Sequence, residues 1–195
     1  SLPVRTGKAR VIGIEPASLV TKSLVREVKT DDAGCFQSAL NPGLTKIAVI
    51  ERHKRTGKRG IGILEGYGLT GGAIATTISH DSHNIVVAGD NDPDMLLAVR
   101  ELADMGGGIV SVHGGAIRRL PLPIAGLMTS ADPQEVNAVL HDMLVAARAE
   151  LGIPEDVEPF MTLSFMALPV IPELKLTARG LFNVNTFSFI GVEAD

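Results

Sequence analysis

The stretch IVVAGDNDPDMLLAVRELADMGGGIVSVHGGAIRRL, residues 85–120, decides the fold of this chain. It opens with a short apolar run, Ile85–Gly89, which predicts a buried strand. Asp92 followed by Pro93 is typical of a helix start, because an acidic cap and a first-turn proline both favour it. The sequence therefore predicts a helix over Asp92–Met105, whose apolar face comprises Leu96, Val99, Leu102 and Ala103.

A second strand follows this helix. Gly106–Gly108 end the helix, and Ile109–Val112 is again apolar. Two strands joined through a helix are typical of a βαβ unit, so we expect a parallel βαβ unit over Ile85–Val112. His113–Gly115 then predicts a tight turn, with Ala116–Leu120 as the returning strand of an antiparallel hairpin.

A second amphipathic helix is predicted over Asp132–Leu151. Asp132 supplies its N-cap, Pro133 its first turn and Glu135 the acid of a capping box, and Gly152 ends it. We expect its apolar stripe to lie in the core: Val136, Val139, Leu140, Met143, Leu144, Ala147 and Leu151.

The remaining strand-like runs lie towards both ends of the chain. Together with the βαβ unit, the hairpin and the two helices, they predict a mixed α/β (α+β) domain built on a mixed sheet. These runs are Arg10–Ile14, Leu19–Val28, Lys46–Glu51, Ile61–Leu64 and Phe187–Ile190.

Two stretches could suggest anion or nucleotide binding. The basic run RHKRTGKRG, residues 52–60, is interpreted as the solvated tip of a hairpin, with anion binding as the alternative. The glycines at 60, 62, 66 and 68 form GxGxxxGxG rather than GxGxxG, and no helix signal follows them. We therefore expect these glycines to permit tight bends or close approach of neighbouring backbone.

Composition narrows the class of protein. A hydrophobic content of 45% excludes broad disorder, and a net charge of −4 argues against nucleic acid or an anionic membrane as partner. The single cysteine, Cys35, cannot form an internal disulfide and suits a reducing compartment, so we expect a cytoplasmic location.

Ser1–Leu2 do not look like a natural start, and we expect residues 1–8 to be a leader or linker and 9–195 to be the domain.

The polar segment SHDSHN, residues 79–84, lies between two apolar runs and is the candidate site. As a metal site it is incomplete, because catalytic zinc usually has three protein ligands and His80 and His83 point to opposite faces unless the chain turns. His53 or His113 could complete a site only if the fold brings them close. A serine nucleophile is not favoured either, because no GxSxG motif surrounds Ser79 or Ser82. A polar strand junction, in which Asp81 and Asn84 bond local backbone amides, remains an alternative.

Long segments of the chain resemble a known family, the C-terminal domain of bacterial adenine deaminase, in the amidohydrolase superfamily. The resemblance covers about Ala9 to Val192 and is weakest at Thr30–Leu44. The matching segments include KIAVIERH (46–53), GIGILEGYGL (60–69), GAIATTISHDSHNIVVAGDNDPDMLLAVRELADMGGGIV (72–110), LPLPIAGLMT (120–129) and PFMTLSFMALPVIPELKLTARGLFNV (159–184).

The resemblance implies a parent hydrolase that converts adenine and water to hypoxanthine and ammonia on a barrel holding divalent manganese or iron. A barrel of that kind needs about 250 residues, so we expect it outside this chain, in the same or an accompanying polypeptide. The family's metal ligands match no residue here, and we expect no metal or other cofactor in this chain. We also expect the chain alone to be inactive and the intact enzyme to be a homo-oligomer.

Three roles for the domain stay open on this basis. In the first, His80, Asp81 or His83 shapes the purine pocket or its lid, and Ser82 and Asn84 contact the substrate. In the second, the domain supports the barrel or forms an oligomer interface. In the third, it is an independent module that binds a small molecule.

Overall fold

The computed structural model describes residues 1–194, which form a mixed α/β fold that contains no barrel. A large sheet carries most of the strands, and a small sheet lies at the end of the chain. The elements are β1 (Lys8–Ile14), β2 (Thr21–Glu27), β3 (Leu44–Ile50), β4 (Arg59–Glu65), β5 (Gly72–Thr76), β6 (Ile85–Gly89), α1 (Asp92–Asp104), β7 (Gly108–His113), β8 (Ala116–Pro121), α2 (Pro133–Ala149), α3 (Pro159–Ser164), β9 (Leu174–Thr177), β10 (Gly180–Asn183) and β11 (Ser188–Ile190).

The large sheet has the strand order β2-β1-β4-β3-β6-β5-β7-β8. β1 pairs in parallel with β4, whereas β5 is antiparallel to both of its neighbours, β6 and β7. The strands of the predicted βαβ unit, β6 and β7, therefore run in the same direction, as expected, but β5 lies between them. The predicted hairpin is confirmed, since β7 and β8 pair in antiparallel register from His113 opposite Ala116 to Gly108 opposite Pro121.

Both faces of the large sheet are covered. On one face α1 packs against β5, β6 and β7, and on the opposite face lie α2, α3 and the small sheet. Residues 1–8, for which we expected a leader or linker, place Leu2 and Val4 in a buried cluster with Val11 of β1 and Ile63 of β4. No helix among residues 1–194 is long and apolar enough to cross a membrane.

The position of α1 is as predicted, but its cap and its buried face differ from the prediction. Asn91 rather than Asp92 is the N-cap, because the Asn91 side chain accepts the N–H of Asp94 at 2.9 Å. The carboxylate of Asp92 pairs instead with the ammonium of Lys46 at 2.6 Å. The buried face comprises Met95, Ala98 and Leu102, whereas Leu96 is 56% exposed, since consecutive apolar residues left the helical phase ambiguous.

α2 is confirmed, with the predicted cap: the Asp132 side chain accepts the N–H of Gln134 at 2.7 Å. The expectation that the whole apolar stripe is core was wrong. Met143 and Ala147 are buried, whereas Val139, in the first half of the helix, is exposed. The helix therefore contacts the core mainly through its second half.

The end of the chain contains one helix that the sequence did not predict, α3, and the small sheet, in the order β11-β10-β9. This sheet packs very closely on β4, since a Cβ atom at Gly60 would lie 2.1 Å from the carbonyl oxygen of Thr177. The expectation that Gly60 permits close backbone approach is therefore confirmed, and a nucleotide loop is not needed to explain it.

Lys175 of β9 is a charged residue that is fully buried. Its Nζ donates a hydrogen bond to the carbonyl of Leu19 at 2.8 Å, and no carboxylate among residues 1–194 forms an ion pair with it. Burial lowers the pKa of Lys175 from 10.5 to about 8. The folded chain therefore releases this proton at a lower pH than the unfolded chain does.

Replacing Lys175 with Met should remove a pH dependence of stability. Between about pH 8 and 10.5 the unfolded chain keeps a proton that the folded chain has lost, so the free energy of unfolding of the wild type rises with pH. The free energy of unfolding of the wild type should increase by on the order of 3 kcal/mol across that interval, and this increase should be absent from Lys175→Met. Urea unfolding at several pH values measures it, with Lys22→Met as the exposed control. Parallel curves for wild type and Lys175→Met would contradict the prediction.

Candidate functional site at the Ser79–Asn84 turn

The segment Ser79–Asn84 connects β5 to β6 and folds back on itself. The N–H of His83 donates to the carbonyl of Ser79 at 2.6 Å, which closes the turn. His83 has a φ of 47°, in the left-handed region where histidine is one of the more frequent non-glycine residues. Because the chain turns here, the rings of His80 and His83 come together, with centroids 5.7 Å apart.

His80 rests on the end of α3. Its ring lies against the ring of Phe165, with centroids 4.5 Å apart and planes inclined by 35°. Its backbone N–H donates to the carbonyl of Ser164 at 3.0 Å. The position of His80 is thus set by a helix that lies about eighty residues further along the chain and that the sequence did not predict.

His83 has an environment that favours its neutral form. Burial lowers the pKa of its imidazole, and electrostatic repulsion by His80 and Arg52 lowers it further, against the opposing effect of Asp81. Its Nδ1 lies 3.4 Å from the N–H of Ser79 and accepts from it. This geometry suits the tautomer with the proton on Nε2, which leaves Nε2 as a hydrogen-bond donor.

The basic loop between β3 and β4 approaches the turn and is ordered by Glu51. The Glu51 carboxylate accepts the backbone N–H groups of His53, Lys54 and Thr56 at 2.6–3.0 Å. These bonds lower the pKa of Glu51 to about 2. The Nε2 of His53 lies 2.8 Å from the carbonyl of Ser82, so the loop and the turn are in contact.

An open cleft of about 640 Å³ lies beside the turn. Asp81, Ser82 and Asn84 line it, together with the β3–β4 loop and the segment 167–179. Asn84 is only 8% exposed, and its Oδ1 accepts the backbone N–H of Arg52 at 3.4 Å. Its Nδ2 has no hydrogen-bond partner among residues 1–194, which leaves a donor available at the cleft.

The structure differs from the polar strand junction that we considered from the sequence, in which Asp81 and Asn84 bond local backbone amides. The backbone N–H that Asn84 accepts belongs to Arg52, 32 residues earlier, and Asp81 is exposed and accepts no backbone N–H within the described part of the chain. The exposed carboxylate therefore has no evident role in holding the turn.

The arrangement does not fit a metal ion. Within residues 1–194 no three His, Cys, Asp or Glu side chains are placed to share one. His53 reaches the turn, but its Nε2 lies against a carbonyl, and His113 contacts the carbonyl of Gly71 instead. What the turn offers is a neutral imidazole, a carboxylate and an amide, which are groups that can hydrogen-bond a polar ring.

Sequence reasoning missed two residues that organise this site, Arg52 and Phe165. Arg52 appeared only as one member of a basic run, and Phe165 only as part of an apolar run. Both reach the turn through contacts between distant parts of the chain, for which the local sequence carries no signal. The adjacency of His53 to the KIAVIE strand was the one available hint that this loop is more than a solvated tip.

The fold and the turn define a mixed α/β domain with a polar turn beside an open cleft. The family described as adenine deaminase C-terminal domain matches residues 18–188, and the chain belongs to this family.

Curated relatives match nearly the whole chain. It is 60% identical over 192 residues to the adenine deaminase of Nitratidesulfovibrio vulgaris strain Hildenborough, which covers 98% of this chain and 33% of that protein. It is 48% identical over 192 residues to adenine deaminase 2 of Carboxydothermus hydrogenoformans, a match that covers 98% of this chain and 33% of that protein. It is 45% identical over 190 residues to the adenine deaminase of Clostridium acetobutylicum, a match that covers 97% of this chain and 33% of that protein. The chain thus spans about a third of the length of these relatives.

We expect the purified chain to hold no tightly bound zinc, manganese or iron, because no three His, Cys, Asp or Glu side chains among residues 1–194 are placed to share an ion. Elemental analysis should find less than about a tenth of an equivalent of each metal, since a site without three ligands binds weakly. His80→Ala and His83→Ala serve as comparison variants. One equivalent of metal in the wild type, lost in both variants, would overturn this expectation.

Proposed function

We propose that this chain is the part of an adenine deaminase that packs against the catalytic barrel, and that its Ser79–Asn84 turn forms part of the purine pocket or its lid. Membership of the adenine deaminase C-terminal domain family supports the first part. The observation that carries the second is an open cleft lined by Asp81, Ser82 and Asn84, in which the Asn84 amide keeps a spare donor. His83 belongs to the same turn, and burial lowers the pKa of its imidazole.

The chemistry of the substrate fits these groups. Adenine presents ring nitrogens that accept hydrogen bonds and an amino group that donates them. The Nε2–H of His83 and the amide of Asn84 can donate to ring nitrogens, and the carboxylate of Asp81 can accept from the amino group that leaves as ammonia. The divalent metal that the family implies, manganese or iron, would belong to the barrel and would activate the attacking water.

The proposal is tested in an enzyme that contains both parts. This chain replaces the matching final third of the Nitratidesulfovibrio vulgaris relative, whose sequence is 60% identical to it, and His83→Ala and Asp81→Asn are made in the chimera. Loss of a positioned acid or base should lower kcat/KM by roughly 100- to 10,000-fold. Loss of one hydrogen bond to substrate should raise the barrier by about 0.5–1.5 kcal/mol when neutral and about 1.5–3 kcal/mol when charged.

The melting temperature and the metal content are measured on the same samples. In both variants these two values should stay close to those of the unsubstituted chimera. His141→Ala, an exposed histidine on α2, is the matched control and should leave kcat/KM unchanged. Unchanged kcat/KM with a lowered melting temperature would assign the turn a structural role. Loss of assembly with normal turnover in the surviving enzyme would favour an oligomer interface, and purine binding by this chain alone would favour an independent module.

A further inference from the structure

Arg52 joins three segments of the chain at the candidate site. Its Nε donates to the carbonyl of His83 at 2.6 Å, and its Nη2 donates to the carbonyl of Ala125 at 2.6 Å. Its own backbone N–H donates to the Oδ1 of Asn84 at 3.4 Å. The β3–β4 loop, the turn and the loop between β8 and α2 are therefore connected through this one residue.

The guanidinium of Arg52 is used in an unusual way. Within residues 1–194 no carboxylate pairs with it, although charged guanidinium groups commonly pair with carboxylates. Its observed acceptors are main-chain carbonyls, and the hydrogen bonds to them fix backbone position rather than neutralise a charge. A half-buried cation held in this way also places its charge beside the turn.

The loop that receives Arg52 is shaped for it. Gly126 has a φ of +75°, and a Cβ atom there would lie 2.7 Å from the Nη2 of Arg52. The carbonyl of Gly126 accepts from the Oγ1 of Thr77 at 2.6 Å, at the end of β5. The loop is thus anchored to the sheet on one side and to the guanidinium on the other, so the guanidinium position is well defined.

We propose that Arg52 is the positioning residue of this site: by holding the main chain at His83 against the β8–α2 loop, it sets where the His83 ring lies. This inference rests on the proposed function only in so far as it concerns turnover. The contacts of Arg52 exist in this chain by itself.

The electrostatics around His83 support the same conclusion. The charged and titratable groups that face it are His80, Arg52, Asp81 and His53. After burial and His80, Arg52 is the next cause that lowers the pKa of His83, and Asp81 is the one group that raises it. Removing the guanidinium should therefore move the pKa of His83 upward, towards its ordinary value.

The first test measures His83 directly in the full chain. The chain contains five histidines, so NMR titration of their ring C–H signals is practicable, with His83 identified by its absence in His83→Gln. In Arg52→Met the pKa of His83 should rise. Gly126→Ala keeps the arginine but places a Cβ atom 2.7 Å from its Nη2, so the guanidinium must move. This variant should also shift the His83 signal. Arg119→Met removes an arginine that pairs with Glu101 instead, and it should leave the His83 signal unchanged.

An unchanged titration of His83 in folded Arg52→Met would overturn the inference. Should Arg52→Met fail to fold, Arg52→Lys decides the matter, because an ammonium cannot reproduce the two diverging guanidinium bonds. A His83 ring signal in Arg52→Lys that coincides with the wild-type signal would equally overturn it, and a displaced signal would support it.

The second test uses the chimera with the relative's barrel. Misplacement of His83 in Arg52→Met should lower kcat by about 10- to 100-fold and should move the acid limb of the kcat/KM profile to higher pH. A merely structural residue would not move that limb. If the His83 signal shifts in the chain while the pH profile of the chimera stays fixed, Arg52 positions His83 but the proposed catalytic contribution of the turn fails. If neither changes, the role of Arg52 itself is wrong.

Discussion

Burial of the central strands on both faces is the constraint on which the rest of this structure depends. Every residue of β5 and β6 is buried, so their backbone N–H and C=O groups must be paired within the sheet. Polar side chains then have room only where these strands end. The connection from β5 to β6 is such a place, and it carries two histidines, an aspartate, two serines and an asparagine. The candidate site lies at the end of the sheet because the middle of the sheet cannot accommodate it.

Local sequence was sufficient for the elements and insufficient for their arrangement. Asp132 and the turn after His113 carry signals in neighbouring residues, and α2 and the β7–β8 hairpin were predicted accordingly. The insertion of β5 between β6 and β7 could not be predicted in this way, because strand order is decided by which apolar faces pack together. The buried face of α1 was missed for a related reason, since Met95 and Leu96 are equally apolar and only the sheet distinguishes them.

The candidate site shows the same division. The sequence identified His80 and His83 as a polar pair, and the family resemblance included the segment that contains them. The sequence could not show that His80 rests on Phe165 or that Arg52 holds the carbonyl of His83, because each contact joins segments that are far apart in the chain. Those distant contacts fix where the two rings lie, so part of what shapes the candidate site is outside the motif.

The position of α3 has a consequence for how the protein is made. Ribosomes synthesise chains from the N-terminus, and α3 with β9–β11 emerges after the whole large sheet. A nascent chain that has emerged only as far as α2 already contains every polar residue of the turn. It lacks the aromatic ring beneath His80 and the Leu174 carbonyl that accepts from the Oγ1 of Thr21. The contacts that hold His80 and Thr21 in their final places therefore form only after α3 and β9 have been translated.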